Sequence, residues 1–127
     1  MMIVMPITHQ TAASDLTPTH NLEGRTMKAF VLERYGKQRA LQVADMPMPE
    51  LRDDEVLVEV HAAGLNLLDV KLRNGEFKLI LPYRLPIVLG HDVAGVVVKA
   101  GPQARQFKPG DEVYARLDDF RIGALAE

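Results

Sequence analysis

The chain has 127 residues, 47% of them hydrophobic and 25% charged, the balance of one ordinary globular domain. With 15 basic and 17 acidic residues, a formal charge of −2 leaves no electrostatic footprint for nucleic acid or an anionic membrane. Cysteine is absent, which excludes disulfides, iron–sulfur clusters, thiolate zinc sites and a cysteine nucleophile, and no apolar run approaches the roughly 20 residues of a membrane span.

Residues 1–26 stand apart. They hold two acidic residues and one basic, with many Thr, Ser, Asn, Pro and Gly after the short apolar opening MMIVMPI. The segment lacks a secretory n-region, and Arg25 alone does not make a mitochondrial presequence. It is expected to be a mobile extension, with Met27 the more natural beginning and His9 and His20 solvated. The cytoplasm is the expected compartment.

From Met27 the chain becomes β-rich. A strand is predicted over Lys28–Glu33 with Ala29 and Val31 on one face, and another over Ala40–Asp45 before the extended Pro47-x-Pro49 link. Glu55–Ala63 carries the strongest alternation: Val56, Val58 and Val60 face one side, Leu57, Glu59 and His61 the other. The period then changes. Asn66–Gly75 predicts a helix in which Leu67, Leu68 and Leu72 share a face, Asn66 is the N-cap and Gly75 the left-handed C′ residue. A Leu- and Pro-rich loop leads into Val88–Ala100, which contains a long strand, HDVAGVVVKA, interrupted at Gly95 by a bulge or a close backbone approach. Lys108-Pro109-Gly110-Asp111 predicts a type II turn ahead of a strand over Glu112–Arg116. The apolar stretch FRIGALAE runs to Glu127 without a turn or cap. Several short strands, one short helix and Gly/Pro turns predict a mainly β domain, a small partly open barrel with one or two short helices.

Local chemistry alone gives modest readings. Asn66 and Asp69 have the spacing of a variant capping box at the positive helix end, although an Asn at a strand-to-helix corner also presents its amide to a cleft. Gly90, Gly95 and Gly101 do not match the G-x-G-x-x-G phosphate fingerprint, and no P-loop occurs. His91 beside Asp92 reads as a hydrogen-bonded structural pair, and a single His is weak evidence for a metal. Ser14 is the only serine and has no G-x-S-x-G elbow. The acidic pairs Asp53-Asp54 and Asp118-Asp119 read as solvated turn residues.

Taken in order, MKAFVLERYG, PELRDDEVLVEVHAAGLNLLDVKLRNG, LPIVLGHDVAGVVVKAG and FKPGDEVYA resemble the GroES-like N-terminal domain of the medium-chain dehydrogenase/reductase superfamily. The resemblance runs from Met27 to Glu127 and is nearest to the zinc-independent quinone oxidoreductase branch. Zinc alcohol dehydrogenases carry a Cys ligand in a G-x-C-x-x-D pattern. Here that pattern reads Gly64-Leu65-Asn66-Leu67-Leu68-Asp69, with Asn66 in the ligand position. Gly90-His91 is kept from the zinc branch's G-H-E motif, but Asp92 replaces Glu and the four structural-zinc cysteines are missing. No zinc is therefore expected.

The resemblance implies a substrate-side domain, residues 27–127, of an NAD(P)H-dependent oxidoreductase that reduces quinones or α,β-unsaturated carbonyls by direct hydride transfer. Lacking a Lewis acid, such an enzyme relies on hydrogen-bond donors at the cleft. Asn66 would lie beside the nicotinamide and position it or the substrate oxygen. Asp69 would hold the corner together by pairing with Lys71 or Arg73, and Tyr83 and His91 would line the cleft. NADPH or NADH would be bound mainly by a Rossmann domain that these 127 residues do not include, so the chain is expected to be an incomplete barrel, inactive alone. The implied partner is a small quinone or enone, with no nucleic acid or membrane, in a full-length homo-oligomer. The competing reading is a non-catalytic module or truncated remnant that pairs with a full-length reductase; a co-chaperonin role follows only from the fold name.

Overall fold

The computed structural model describes residues 3–6 and 24–126. Its elements in chain order are β1 (Ile3–Pro6), β2 (Thr26–Leu32), β3 (Gln42–Pro47), β4 (Val56–Gly64), α1 (Leu67–Asn74), β5 (Ile87–Val88), β6 (Asp92–Ala100) and β7 (Glu112–Arg116). They form two open antiparallel sheets, one ordered β1-β7-β6-β4 and the other β3-β2-β5. The mainly β fold with one short helix matches the sequence expectation. Of the proposed extension, Ile3–Pro6 forms a strand along β7 and Thr26 opens β2; residues 7–23 lie outside the described residues.

Alternation puts Val56, Val93, Val97 and Val113 into one apolar cluster with Phe107 and Leu117, while Ala29, Val31 and Val88 form a second under the smaller sheet. Leu72 of α1 packs with Leu32 and Leu89 in a third. Each fully buried Val or Leu contributes roughly 1.5–3 kcal/mol of transfer free energy. This third cluster seats the helix against the sheet that carries β2.

One strand boundary differs from the sequence reading and one short strand is added to it. β3 runs to Pro47 instead of Asp45, because an edge strand tolerates a terminal proline without losing a needed donor. The long strand expected over HDVAGVVVKA forms as β6, from Asp92 to Ala100, and Ile87–Val88 before it is a separate short strand. β5 pairs with β2, and the chain then crosses at Leu89–His91 to the other sheet, where Asp92 begins β6. Gly90 makes this corner with φ +106°, and a Cβ there would lie 2.9 Å from the Leu125 nitrogen. The apolar tail explains the crowding. Leu125 N–H donates to Leu89 O, Leu125 O accepts from Phe30 N–H, and Ala126 bridges Ala29.

The irregularity expected at Gly95 is a close approach on β6, while the extra residue sits opposite, on β4. Val60 faces Gly95 and Ala62 faces Ala94, leaving His61 unmatched. The Lys108–Asp111 turn forms as expected, closed by Asp111 N–H to Lys108 O at 3.2 Å with Gly110 at φ +94°.

A Cβ at Gly95 would stand 2.0 Å from the Glu59 carbonyl oxygen, a backbone atom held by the sheet. Gly95→Ala is therefore expected to lower unfolding free energy by at least about 2 kcal/mol in urea titration. An unchanged midpoint would contradict the close β4–β6 approach.

Candidate functional site

The site is built where β4 hands over to α1. Asn66 is extended (φ −109°, ψ 159°) and α1 begins after it. Gly75 closes the helix at φ +83°, donating its N–H to Leu72 O at 2.9 Å. Both caps are those the sequence predicts. Of the capping-box contacts, the strongest is made by the acid: Asn66 N–H donates to Asp69 Oδ2 at 2.8 Å. The Asn66 side chain faces the Asp69 N–H as the other half of the box, and its Nδ2 donates to Asp92 Oδ2 at 2.8 Å.

Asp69 is the centre of this arrangement. It is 3% exposed, and its second oxygen meets His91 Nδ1 at 2.7 Å, where His91 is itself 1% exposed. An ionised carboxylate only accepts, so Nδ1 carries the proton of this bond. The expected Asp69 pairing with Lys71 or Arg73 is not made. Asp69 points inward from the third helical position, while Lys71, two residues on, lies about 200° around the helix by its 3.6-residue turn. Arg73 donates instead to Asn74 Oδ1 at 3.2 Å.

The expected His91–Asp92 pair is also corrected. Neighbours in extended backbone point to opposite sides, so His91 enters the interior and meets Asp69, while Asp92 reaches Asn66 on the sheet's other face. Gly64 clears the space, since a Cβ there would stand 3.2 Å from Asp92 Cβ. Asp92 also borders an open hollow of about 520 Å³ floored by Ala62, Ala94 and Tyr114. Buried as it is, His91 does not line an open cleft.

Tyr83 is brought to the same neighbourhood from the Leu/Pro-rich loop, and its hydroxyl donates to the Asp119 carbonyl. Asp119 was not singled out by sequence as more than a solvated acid. Its carboxylate takes Arg116 Nη2 at 2.6 Å and stands 3.8 Å from His91 Nε2, a buried nitrogen that has no hydrogen-bond partner. Burial, reinforced by the negative charges of Asp119 and Asp118, pushes the Tyr83 phenol up to about 12. Asn66, Asp69, Asp92 and His91 thus form one bonded cluster, Tyr83 and Asp119 adjoin it, and Lys71 lies apart on the flank of α1.

Zinc does not fit this donor set. The corner supplies one imidazole nitrogen and no thiolate, the Asn66 amide is already donating to a carboxylate, and no group of three or more His, Cys, Asp or Glu is placed to hold a metal among the described residues.

Residues 52–123 match the alcohol dehydrogenase GroES-like domain, more than half of the chain. The chain belongs to this family. The GroES-like domain is 41% identical over 107 residues to a chloroplastic quinone oxidoreductase of Triphysaria versicolor, covering 84% of this chain and 32% of that protein. It is 43% identical over 110 residues to a chloroplastic NADPH-dependent alkenal/one oxidoreductase of Arabidopsis thaliana, covering 81% and 28%. Among solved structures it superimposes on the quinone oxidoreductase from Coxiella burnetii with a TM-score of 0.75 and 34% identity, covering 81% of this chain and 33% of that one. It thus spans about a third of the length of these relatives. No helix among the described residues is long and apolar enough to cross a membrane.

The raised Tyr83 pKa has a sign. The unfolded phenol loses its proton near its ordinary value of 10, while the folded one keeps it to about 12. Its contribution to stability is complete below pH 10 and is lost as the pH rises through 12. Absorbance titration at alkaline pH is expected to show one late tyrosine step that Tyr83→Phe removes; a step at the ordinary value would contradict the burial of the phenol beside Asp119.

Proposed function

We propose that this chain is the substrate-side domain of an NAD(P)H-dependent, zinc-independent oxidoreductase that reduces quinones or α,β-unsaturated carbonyls by direct hydride transfer. The observation that carries the reading is Asn66. An amide, bonded by Asp92 and carried on a main chain that is bonded by Asp69, occupies the corner where a thiolate ligand would serve zinc chemistry. The relatives named for quinone and alkenal reduction support the same reaction class. An electron-poor acceptor needs less help from a Lewis acid than a simple alcohol does.

In this reading the coenzyme supplies the hydride when bound, and its phosphates are held by a Rossmann domain outside these 127 residues. The chain's own part is orientation. Asn66 positions the nicotinamide end beside the acceptor, and the exposed Leu65 and Leu67 on either side of it offer apolar surface to a quinone or enone. Asp69 fixes the Asn66 main chain and is itself fixed by His91. Tyr83 ties its loop to Asp119. Lys71 carries no assigned step.

Kinetics test the reading. The 127-residue chain alone is expected to give negligible turnover of a quinone with NADPH, for want of coenzyme affinity. Residues 27–127 joined to the dinucleotide-binding remainder of a quinone oxidoreductase relative should restore NADPH-dependent reduction, and Asn66→Ala in that protein should cost about 10- to 100-fold in kcat/KM. An active chimera indifferent to Asn66→Ala would contradict the role given to the amide.

A further inference from the structure

We infer that the turn over residues 77–81 and the cations around it form a docking surface for an anionic lipid membrane, entered by Leu79 and Ile80. The inference is independent of the proposed reaction. It revises the expectation of no membrane partner, which considered only the total charge.

The total of −2 conceals a division. Residues 33–41 and 71–84 hold seven of the 15 basic residues and only two acids, Glu33 and Glu76, a local charge of +5. The remaining eight basic residues face 15 acids, which leaves −7 for the rest of the chain. The fold joins the two basic segments. Gly36 N–H donates to Arg73 O at 2.9 Å, and a Cβ on Gly75 would lie 3.1 Å from Tyr35 Cβ. Arg34, Lys37, Arg39, Lys78 and Arg84 are exposed, and neither they nor the half-buried Lys71 enter an ion pair among the described residues. Elsewhere Lys28, Lys108, Arg116 and Arg121 each pair with an acid.

Two adjacent apolar side chains stand within this field. Leu79 is 90% exposed and Ile80 72%, and no large hydrophobe among the described residues is more exposed than Leu79. Their outward aim is fixed from below. Phe77 and Leu81 pack on the cluster of Leu32, Leu72 and Leu89. Ile80 N–H and Leu81 N–H close the turn by donating to Phe77 O at 2.9 and 2.8 Å. Lys78 and Arg84 flank this tip in the sequence, and long cationic side chains reach headgroups while apolar neighbours enter the acyl boundary. The two features together select the occupant. A nucleic acid or a wholly acidic peptide answers the cations and leaves Leu79 and Ile80 in water, whereas an anionic bilayer answers both.

The test is sedimentation of the 127-residue chain with lipid vesicles in low salt. It is expected to bind vesicles of phosphatidylcholine and phosphatidylglycerol in equal parts at least about tenfold more tightly than phosphatidylcholine alone. Leu79→Ser with Ile80→Ser should weaken that binding at least about tenfold, as should Lys37→Glu with Arg39→Glu. Lys99→Glu with Arg105→Glu makes the same change of charge at exposed positions elsewhere and should alter binding less than about twofold. Because the chain has no tryptophan, Leu79→Trp reports entry through a blue shift of its emission on the mixed vesicles. An unchanged circular dichroism spectrum shows that each variant is folded. No binding to the mixed vesicles, or no blue shift, overturns the inference. Binding indifferent to the Leu79 and Ile80 substitutions also overturns it, in favour of a purely electrostatic surface for nucleic acid or acidic peptides. Equal losses from the two charge-reversed pairs would show that net charge and not this corner governs binding, and would overturn it as well. The proposed reaction stands in each case.

Discussion

The structure around the candidate site depends on one buried carboxylate. A carboxyl group removed from water is costly unless each of its oxygens finds a hydrogen-bond partner. Asp69 satisfies that condition with two bonds from distant parts of the chain, one from the Asn66 main chain at the end of β4 and one from His91, 22 residues on, ahead of β6. The same acid therefore starts the helix, sets the backbone of Asn66 and fixes how the strand-to-strand crossing at His91 lies against α1. Removing either partner leaves charge buried without compensation, so the corner is held as a unit.

Glycines supply the space in which the unit fits. Gly90 turns the chain from one sheet to the other in a conformation that side chains resist. Gly95 lets β6 come against the β4 carbonyl of Glu59, and Gly64 leaves room for Asp92. The result divides the two acids bonded to Asn66 between two tasks. Asp69 serves the interior through His91, while Asp92 serves the Asn66 side chain.

Local signals were legible where local energetics decide the outcome. Asn66 and Gly75 mark both ends of α1 because capping depends on residues within one turn, and the Val56–Val60 alternation marks β4 because one face is buried. The partners of His91 and Asp92 were not legible. Adjacency in sequence suggested that they bond each other, whereas their backbone sends them to opposite faces. The short strand β5 gave no signal of its own, because two apolar residues after a Leu- and Pro-rich loop have no period, and only pairing with β2 makes Ile87 and Val88 a strand. Asp119 gave no signal beyond a pair of turn acids, since its link to Tyr83 joins residues 36 apart. The spacing of Gly64, Asn66 and Asp69 was readable, and the Gly90-His91-Asp92 triplet was readable beside it. The bonds that couple the two motifs came only with the fold.

The most direct measurement is a double-mutant cycle on equilibrium unfolding with Asp69→Asn, His91→Gln and the pair of substitutions together. If the buried carboxylate and imidazole hold the corner as one unit, the coupling energy is at least about 1.5 kcal/mol. Single-mutant effects that add to within about 0.5 kcal/mol would show that the two residues act independently, and would contradict the account.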